Sequence, residues 1–142
     1  LSLAPIGAYL SVTGRFDWLP LFYSFVVLFW VSGFDIIYAL QDIDFDKHEN
    51  LKSVPVRTGR RNALILSSLL HFLSAALVII AGLYAAFGWI YWLGAAIFIA
   101  LLVYQHTIVK PNDLRRVNKA FFTTNGFASV IFCVFTLADL FL

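Results

Sequence analysis

Four carboxylates fall within eight residues, at Asp42, Asp44, Asp46 and Glu49. They follow directly on a long apolar stretch. Carboxylate oxygens suit hard divalent cations such as Mg²⁺, Ca²⁺ or Mn²⁺. Mg²⁺ usually combines one or two carboxylates with water and substrate phosphates. On a helix, at about 100° per residue, Asp35, Asp42 and Asp46 lie within roughly 40° of one another. Tyr38 and Glu49 flank that face, and Asp44 points the opposite way. Asp42 and Asp46 are i,i+4 neighbours about 6 Å apart along the axis, and Asp35 is about 10 Å further in. The expectation is that Asp42 and Asp46 share one hard cation. Asp35 is then placed to bind substrate, orient a ligand or pair with another helix. The alternative for Asp42 and Asp46 is a solvated helix end, and for Asp35 a hydrogen-bonded structural acid. Asp42-x-Asp44-x-Asp46 also imitates an EF-hand loop, but Lys47 and Ser53 stand where that loop needs Gly and Glu.

Five bases follow the acids: Lys47, Lys52, Arg57, Arg60 and Arg61. Acids beside bases fit a phosphorylated substrate, with Mg²⁺ bridging carboxylate to diphosphate and the bases taking the remaining oxygens. Lys47, Lys52 and Arg57 are the candidates for that role. Arg60 and Arg61 border the next apolar stretch and read as anchors. Acids at a helix C-terminus oppose the helix dipole, and they repel one another. A bound cation relieves both penalties.

The elements that position these residues are membrane spans. Of 142 residues, 61% are hydrophobic and 13% charged, and the mean hydropathy is +0.86. Soluble domains carry about a quarter charged residues, so soluble, disordered and fibrous classes are excluded. A spanning helix needs about 20 apolar residues. Residues 19–40, 62–87, 88–109 and 120–142 qualify, and residues 1–13 are apolar but short, like the tail of a truncated helix. Continuous apolar runs exclude a β-barrel, whose strands alternate. The expected fold is an all-α polytopic helix bundle. An acid inside a spanning segment costs about 2.5–3.5 kcal/mol and is functional by default, which singles out Asp35.

Nine of the ten Lys and Arg lie in two connections. One holds the five bases above, the other Lys110, Arg115, Arg116 and Lys119. The linker near Gly88 is uncharged. By the positive-inside rule both basic loops are cytoplasmic, with Trp18, Trp89, Tyr91 and Trp92 as an aromatic belt on the opposite rim. The net charge of +2 is too small to suggest a nucleic-acid partner. Cys133 is the single cysteine, so no internal disulfide or Cys-based metal site is possible. The sequence contains no Met and opens without a charged n-region, so it reads as a piece of a longer protein rather than one led by a signal peptide. Gln105, His106, Asn118, Thr123, Thr124 and Asn125 gather near one end of the last two spans, as acceptor-binding groups or as interhelical hydrogen bonds. His71 reads as a packed residue and Asp139 as a solvated rim residue.

Asp35-x-x-Tyr38-Ala39-x-x-Asp42-x-x-x-Asp46, followed by Lys52-Ser53-Val54-Pro55-Val56 and Gly59, resembles the second aspartate-rich motif of the UbiA superfamily of intramembrane prenyltransferases. Within it, the 4-hydroxybenzoate polyprenyltransferase-like bacterial members are most similar. Ala4-Pro5-Ile6-Gly7-Ala8-Tyr9 also resembles their fifth helix. The resemblance implies a nine-helix bundle with a cytoplasm-facing cavity in the bacterial inner membrane. There two aspartate motifs hold two Mg²⁺ ions around an isoprenyl diphosphate, and the allylic cation formed from it alkylates an aromatic acceptor in quinone biosynthesis. Residues 1–142 would be the C-terminal portion of one such domain, with the first aspartate motif in an N-terminal half not included here. Asp42 and Asp46 would be metal ligands, Asp35 and Tyr38 catalytic, and Lys47, Lys52 and Arg57 diphosphate-binding. An ion-coupled transporter fragment, with Asp35 as coupling site, is the other reading. Transporters more often show broken helices with acids near the midplane, whereas these acids cluster at one interface beside bases.

Overall fold

A computed structural model describes residues 1–142, with the side chains of all but residues 119 and 121. Six α-helices run α1 (Ala4–Thr13), α2 (Trp18–Ala39), α3 (Ile43–His48), α4 (Val54–Tyr84), α5 (Trp89–Ile108) and α6 (Asn125–Phe141). A 3₁₀ turn, Leu40–Asp42, joins α2 to α3, and a π-helical turn, Lys119–Thr124, leads into α6. Four helical runs are long and apolar enough to cross a membrane: Trp18–His48, Val54–Tyr84, Trp89–Ile108 and Phe122–Phe141. The chain is therefore an all-α multi-pass bundle, as the hydropathy pattern predicts.

Local chemistry explains the helix ends. Asp17 caps α2, its Oδ1 accepting from the Leu19 amide at 2.9 Å, a standard use of an N-cap carboxylate. Gly14 closes α1 in the left-handed conformation at φ +64°. The second full span begins earlier than predicted, at Val54 rather than residue 62. Pro55 sits in its first turn, where a missing amide hydrogen does no harm. Arg57, Arg60 and Arg61 are thus on helix, not loop. Gly59 interrupts this helix at φ +81°, ψ +161°, a region essentially reserved for glycine. The five residues before it form a short cationic turn set at an angle to the membrane-crossing part.

In lipid, helices gain little from apolar contact and associate through close packing and internal hydrogen bonds. Here α2 and α4 approach closely because Gly33 lies under the His71 ring, where any Cβ would collide. The same pair is tied by Ser67 Oγ donating to Gly33 O at 2.6 Å and Ser74 Oγ to Val26 O at 3.1 Å. Asn125 Oδ1 on α6 accepts from Trp30 Nε1 on α2 at 3.3 Å and from Gln105 Nε2 on α5. One apolar cluster joins Ile36, Ile37, Leu40 and Ile43 to Ala63, Leu64 and Ile108. A second joins Val26 and Val78 to Tyr91, Phe98 and Ala128.

Two rim expectations change. Trp18 and Trp89 are exposed, as belt residues are. Tyr91 is not: it is fully buried, its hydroxyl donating to Val78 O at 2.7 Å and its ring stacked on Phe87. Asp139 is not simply solvated either. Its carboxylate accepts from the Gly88 amide at 2.7 Å and the Tyr91 amide at 3.1 Å. The start of α5 has no cap of its own and takes one from the far end of α6.

Candidate functional site

The acidic segment stands on the apolar cluster that closes one end of the bundle. Leu40 and Ile43 are buried in that cluster, so Asp42, two residues after one and directly before the other, is turned outwards and exposed. The chain does not run through as one regular α-helix. The 3₁₀ turn advances about 120° per residue rather than 100°, so the phase of the aspartates shifts between α2 and α3. Asp35 and Asp42 are exposed, while Asp46 keeps only 8% of its surface. Tyr38, one turn after Asp35, is 37% exposed, its ring edge-to-face with Phe122 at 6.3 Å.

Lys47 and Lys52 are exposed on α3 and the following connector, and Arg57 on the first turns of α4. The ion pairs among the described residues are Arg60–Asp44 at 3.9 Å, Arg115–Asp113 at 3.0 Å and, when the imidazole is protonated, His48–Glu49 at 3.0 Å. Lys47, Lys52 and Arg57 take part in none of these, nor do Asp35, Asp42 and Asp46. The Lys119 side chain, counted with the second basic connection, lies outside the described residues. Arg60 has a structural partner in Asp44, consistent with an anchoring role for that pair, whose charges are both well exposed and contribute little alone.

Between α3 and α4, Asn50 turns the chain at φ +55°, a conformation asparagine tolerates better than most residues. Ser53 Oγ is buried with no hydrogen-bond partner among the described residues. Buried polar atoms are normally paired, so this hydroxyl is a donor and acceptor still to be satisfied. The oxygens of Asp42, Asp46 and Ser53 are hard donors of the kind Mg²⁺ takes. No group of three His, Cys, Asp or Glu side chains placed to hold a metal occurs among the described residues. By residue type alone, two carboxylates and a hydroxyl suit an ion that takes one or two carboxylates and completes its shell with water and phosphate.

The lesser polar residues do structural work. Gln105 and Asn125 bond to each other, Gln41 Nε2 donates to Asn118 Oδ1 at 3.2 Å, and His71 Nδ1 meets His106 Nε2 at 2.9 Å. His71 is 3% exposed, the packed residue the sequence suggests. The linked imidazoles escape sequence reasoning as a pair, although each is the one histidine of its span.

The sequence model of one family, described as "UbiA prenyltransferase family", matches residues 1–131. Similar curated proteins include the 4-hydroxybenzoate octaprenyltransferase of Chromohalobacter salexigens, 31% identical over 109 residues, which covers 77% of this chain and 36% of that protein. The protein of the same name from Xanthomonas euvesicatoria is 30% identical over 125 residues, 88% of this chain and 41% of that one. The Shewanella halifaxensis one is 34% identical over 110 residues, 76% and 37% respectively. The chain thus spans about 40% of the length of the curated relatives it matches. No solved structure matches it.

Proposed function

The chain belongs to the UbiA prenyltransferase family, and from that premise we propose that the whole protein transfers a polyprenyl group from an isoprenyl diphosphate to an aromatic acceptor of the 4-hydroxybenzoate type. The observation that carries this reading is the order of groups at one end of the bundle. Exposed Asp35, Tyr38 and Asp42 and the buried Asp46 precede three exposed bases that belong to no ion pair among the described residues.

Asp42 and Asp46 would hold Mg²⁺, and Ser53 Oγ supplies a further oxygen in the same connection. When bound, the ion offsets the diphosphate charge and stabilises the charge that grows on it as it leaves. Lys47, Lys52 and Arg57 bind the diphosphate oxygens that face the connector. Their charge also favours departure of an anion over its return. Asp35 and Tyr38 stand in the last turns of α2, about 10 Å and about 6 Å of helix from Asp42, and orient the acceptor or the cation formed from the prenyl chain. Apolar helix walls exclude water, which would otherwise trap that cation. The basic connections would face the cytoplasm of a bacterial inner membrane. The first aspartate motif would come from the N-terminal part of the whole protein.

The ion-coupled transporter gives way to family membership. Asp35 also lies in an uninterrupted part of α2, unlike the broken helices of transporter sites. In the full-length protein, Asp42→Ala and Asp46→Ala should each lower prenyl transfer by roughly 10²–10³-fold, the range seen when one electrostatic stabiliser is removed. Both should also weaken Mg²⁺-dependent retention of a diphosphate substrate. Turnover retained in both variants overturns the assignment.

A further inference from the structure

A furrow runs between α4 and α5, and no residue of α2 or α3 lines it. Its inner part is a hollow of about 380 Å³ walled by Phe72, Ala75, Ile99 and Val103. Its outer part, about 230 Å³, ends at Arg61 and Lys110. Ser68 and His106 line both parts, so the two are continuous. The order along the furrow is cationic mouth, polar waist, apolar seat. From Arg61 to Ser68 is about 10 Å of helix, and from Ser68 to Ala75 about another 10 Å.

The waist is held in place from inside the bundle. His71 Nε2 lies 3.3 Å from Trp30 O, a carbonyl that only accepts, so this nitrogen carries hydrogen. His71 Nδ1 is then free to accept from His106 Nε2 at 2.9 Å. That leaves His106 Nδ1 turned to Ser68 Oγ at 3.2 Å. The chain from Trp30 through His71 fixes the ring that the furrow presents.

We propose that this furrow seats one acidic phospholipid, phosphate at Arg61 and Lys110 and one acyl chain along Phe72, Ala75, Ile99 and Val103. Charge complementarity carries the choice of occupant. The mouth has two cations, and no lining residue is acidic. Both walls are membrane spans, so the surrounding medium is lipid, and the graded polarity is that of a phospholipid from headgroup to chain. A basic residue at a membrane surface favours an anionic headgroup by an amount that, for two such residues, gives roughly a tenfold or greater preference.

The test uses the full-length protein in nanodiscs of equal parts phosphatidylglycerol and phosphatidylethanolamine, extracted in mild detergent and read by native mass spectrometry. Phosphatidylglycerol should be retained over phosphatidylethanolamine. Arg61→Gln with Lys110→Gln should lower its retention roughly tenfold. Arg115→Gln with Arg116→Gln, an equal charge change further along the connection that carries Lys110 and outside the furrow lining, should leave it unchanged. Ala75→Trp, which fills the seat, should abolish it, with thermal unfolding showing that each variant is folded. Four results would overturn the proposal. Retention by the Arg61/Lys110 variant would remove the mouth, and equal loss in the Arg115/Arg116 variant would mean diffuse surface charge. Retention in Ala75→Trp together with displacement by inorganic phosphate would mean a bare anion site. A Val103→Cys thiol that crosslinks to another helix of the full-length protein would mean that protein covers the furrow.

Discussion

Asp113 shows what a single well-placed base does to a carboxylate at the membrane surface. Arg115 Nε and its second guanidinium nitrogen each lie 3.0 Å from the Asp113 carboxylate oxygens, a two-pronged contact. Hydrogen bonds from the Arg115 side chain and backbone hold the carboxyl at about 2, well below the usual carboxylate range. A depressed folded value means that the tie is fully present above the ordinary pKa near 4 and fades as pH falls toward 2. Asp113 should therefore stay ionised down to about pH 2 in a carboxyl ¹³C titration, and Arg115→Gln should return its midpoint to the ordinary range. An unchanged midpoint in that variant would show that something else holds the proton off. Asp42 and Asp46 present the opposite situation, carboxylates outside every ion pair named above. Their residue types and spacing made them legible in the sequence as candidate ligands. Their unequal exposure was not, because it depends on a 3₁₀ turn that no residue in Leu40-Gln41-Asp42 announces.

At the scale of elements, α4 begins eight residues before its apolar run. A helix made of Val54, Pro55 and Arg57 outside the membrane leaves no hydropathy signal, so only its Pro could have indicated it. Gly59 then sets the angle between that cationic turn and the span. Nothing crowds a Cβ there, so the cost of Gly59→Ala is backbone strain alone, about 1–3 kcal/mol. It should appear as a lower melting temperature in detergent, with prenyl transfer falling as well because Arg57 is redirected. A variant as stable and active as the parent would mean that the bend is dispensable. The start of α5 makes a second test. Removing a capping side chain costs about 1 kcal/mol, within a range of 0.5–2, and Asp139 serves two amides. Asp139→Ala should destabilise by about that amount in reversible unfolding, and Asp139→Asn should recover part of it. The position of Asp139 near the end of an apolar helix suggested only solvent exposure, since a cap donated across 51 residues has no local sequence signature.

For the whole molecule, the sequence foretold the number and approximate extent of the spans, because each must be apolar over the thickness of a bilayer. It did not foretell which side of each helix faces inward. Tyr91 reads as a rim aromatic by position, yet its rotation about α5 places it in the core against Val78. A zigzag of four spans should put the connection containing Asn112 on one side of the membrane and the end of α4 on the other. With Cys133 first replaced by Ser, a cysteine at Asn112 should react with an impermeant maleimide only when the cytoplasmic face is exposed. One at Tyr84 should react only from the outside. Labelling of both from one side would break the proposed orientation.

The three-way junction of Trp30, Gln105 and Asn125 bears on uniqueness rather than on strength. Most of the surface of α6 is apolar, and an apolar helix among apolar helices fits acceptably at many rotations. A one-residue slip would turn Asn125 by about 100°, away from both partners and toward a medium that offers none. The junction thus acts as a key, selecting one angular setting of the last helix among settings that packing alone would leave nearly equivalent, as a buried asparagine does in a coiled coil.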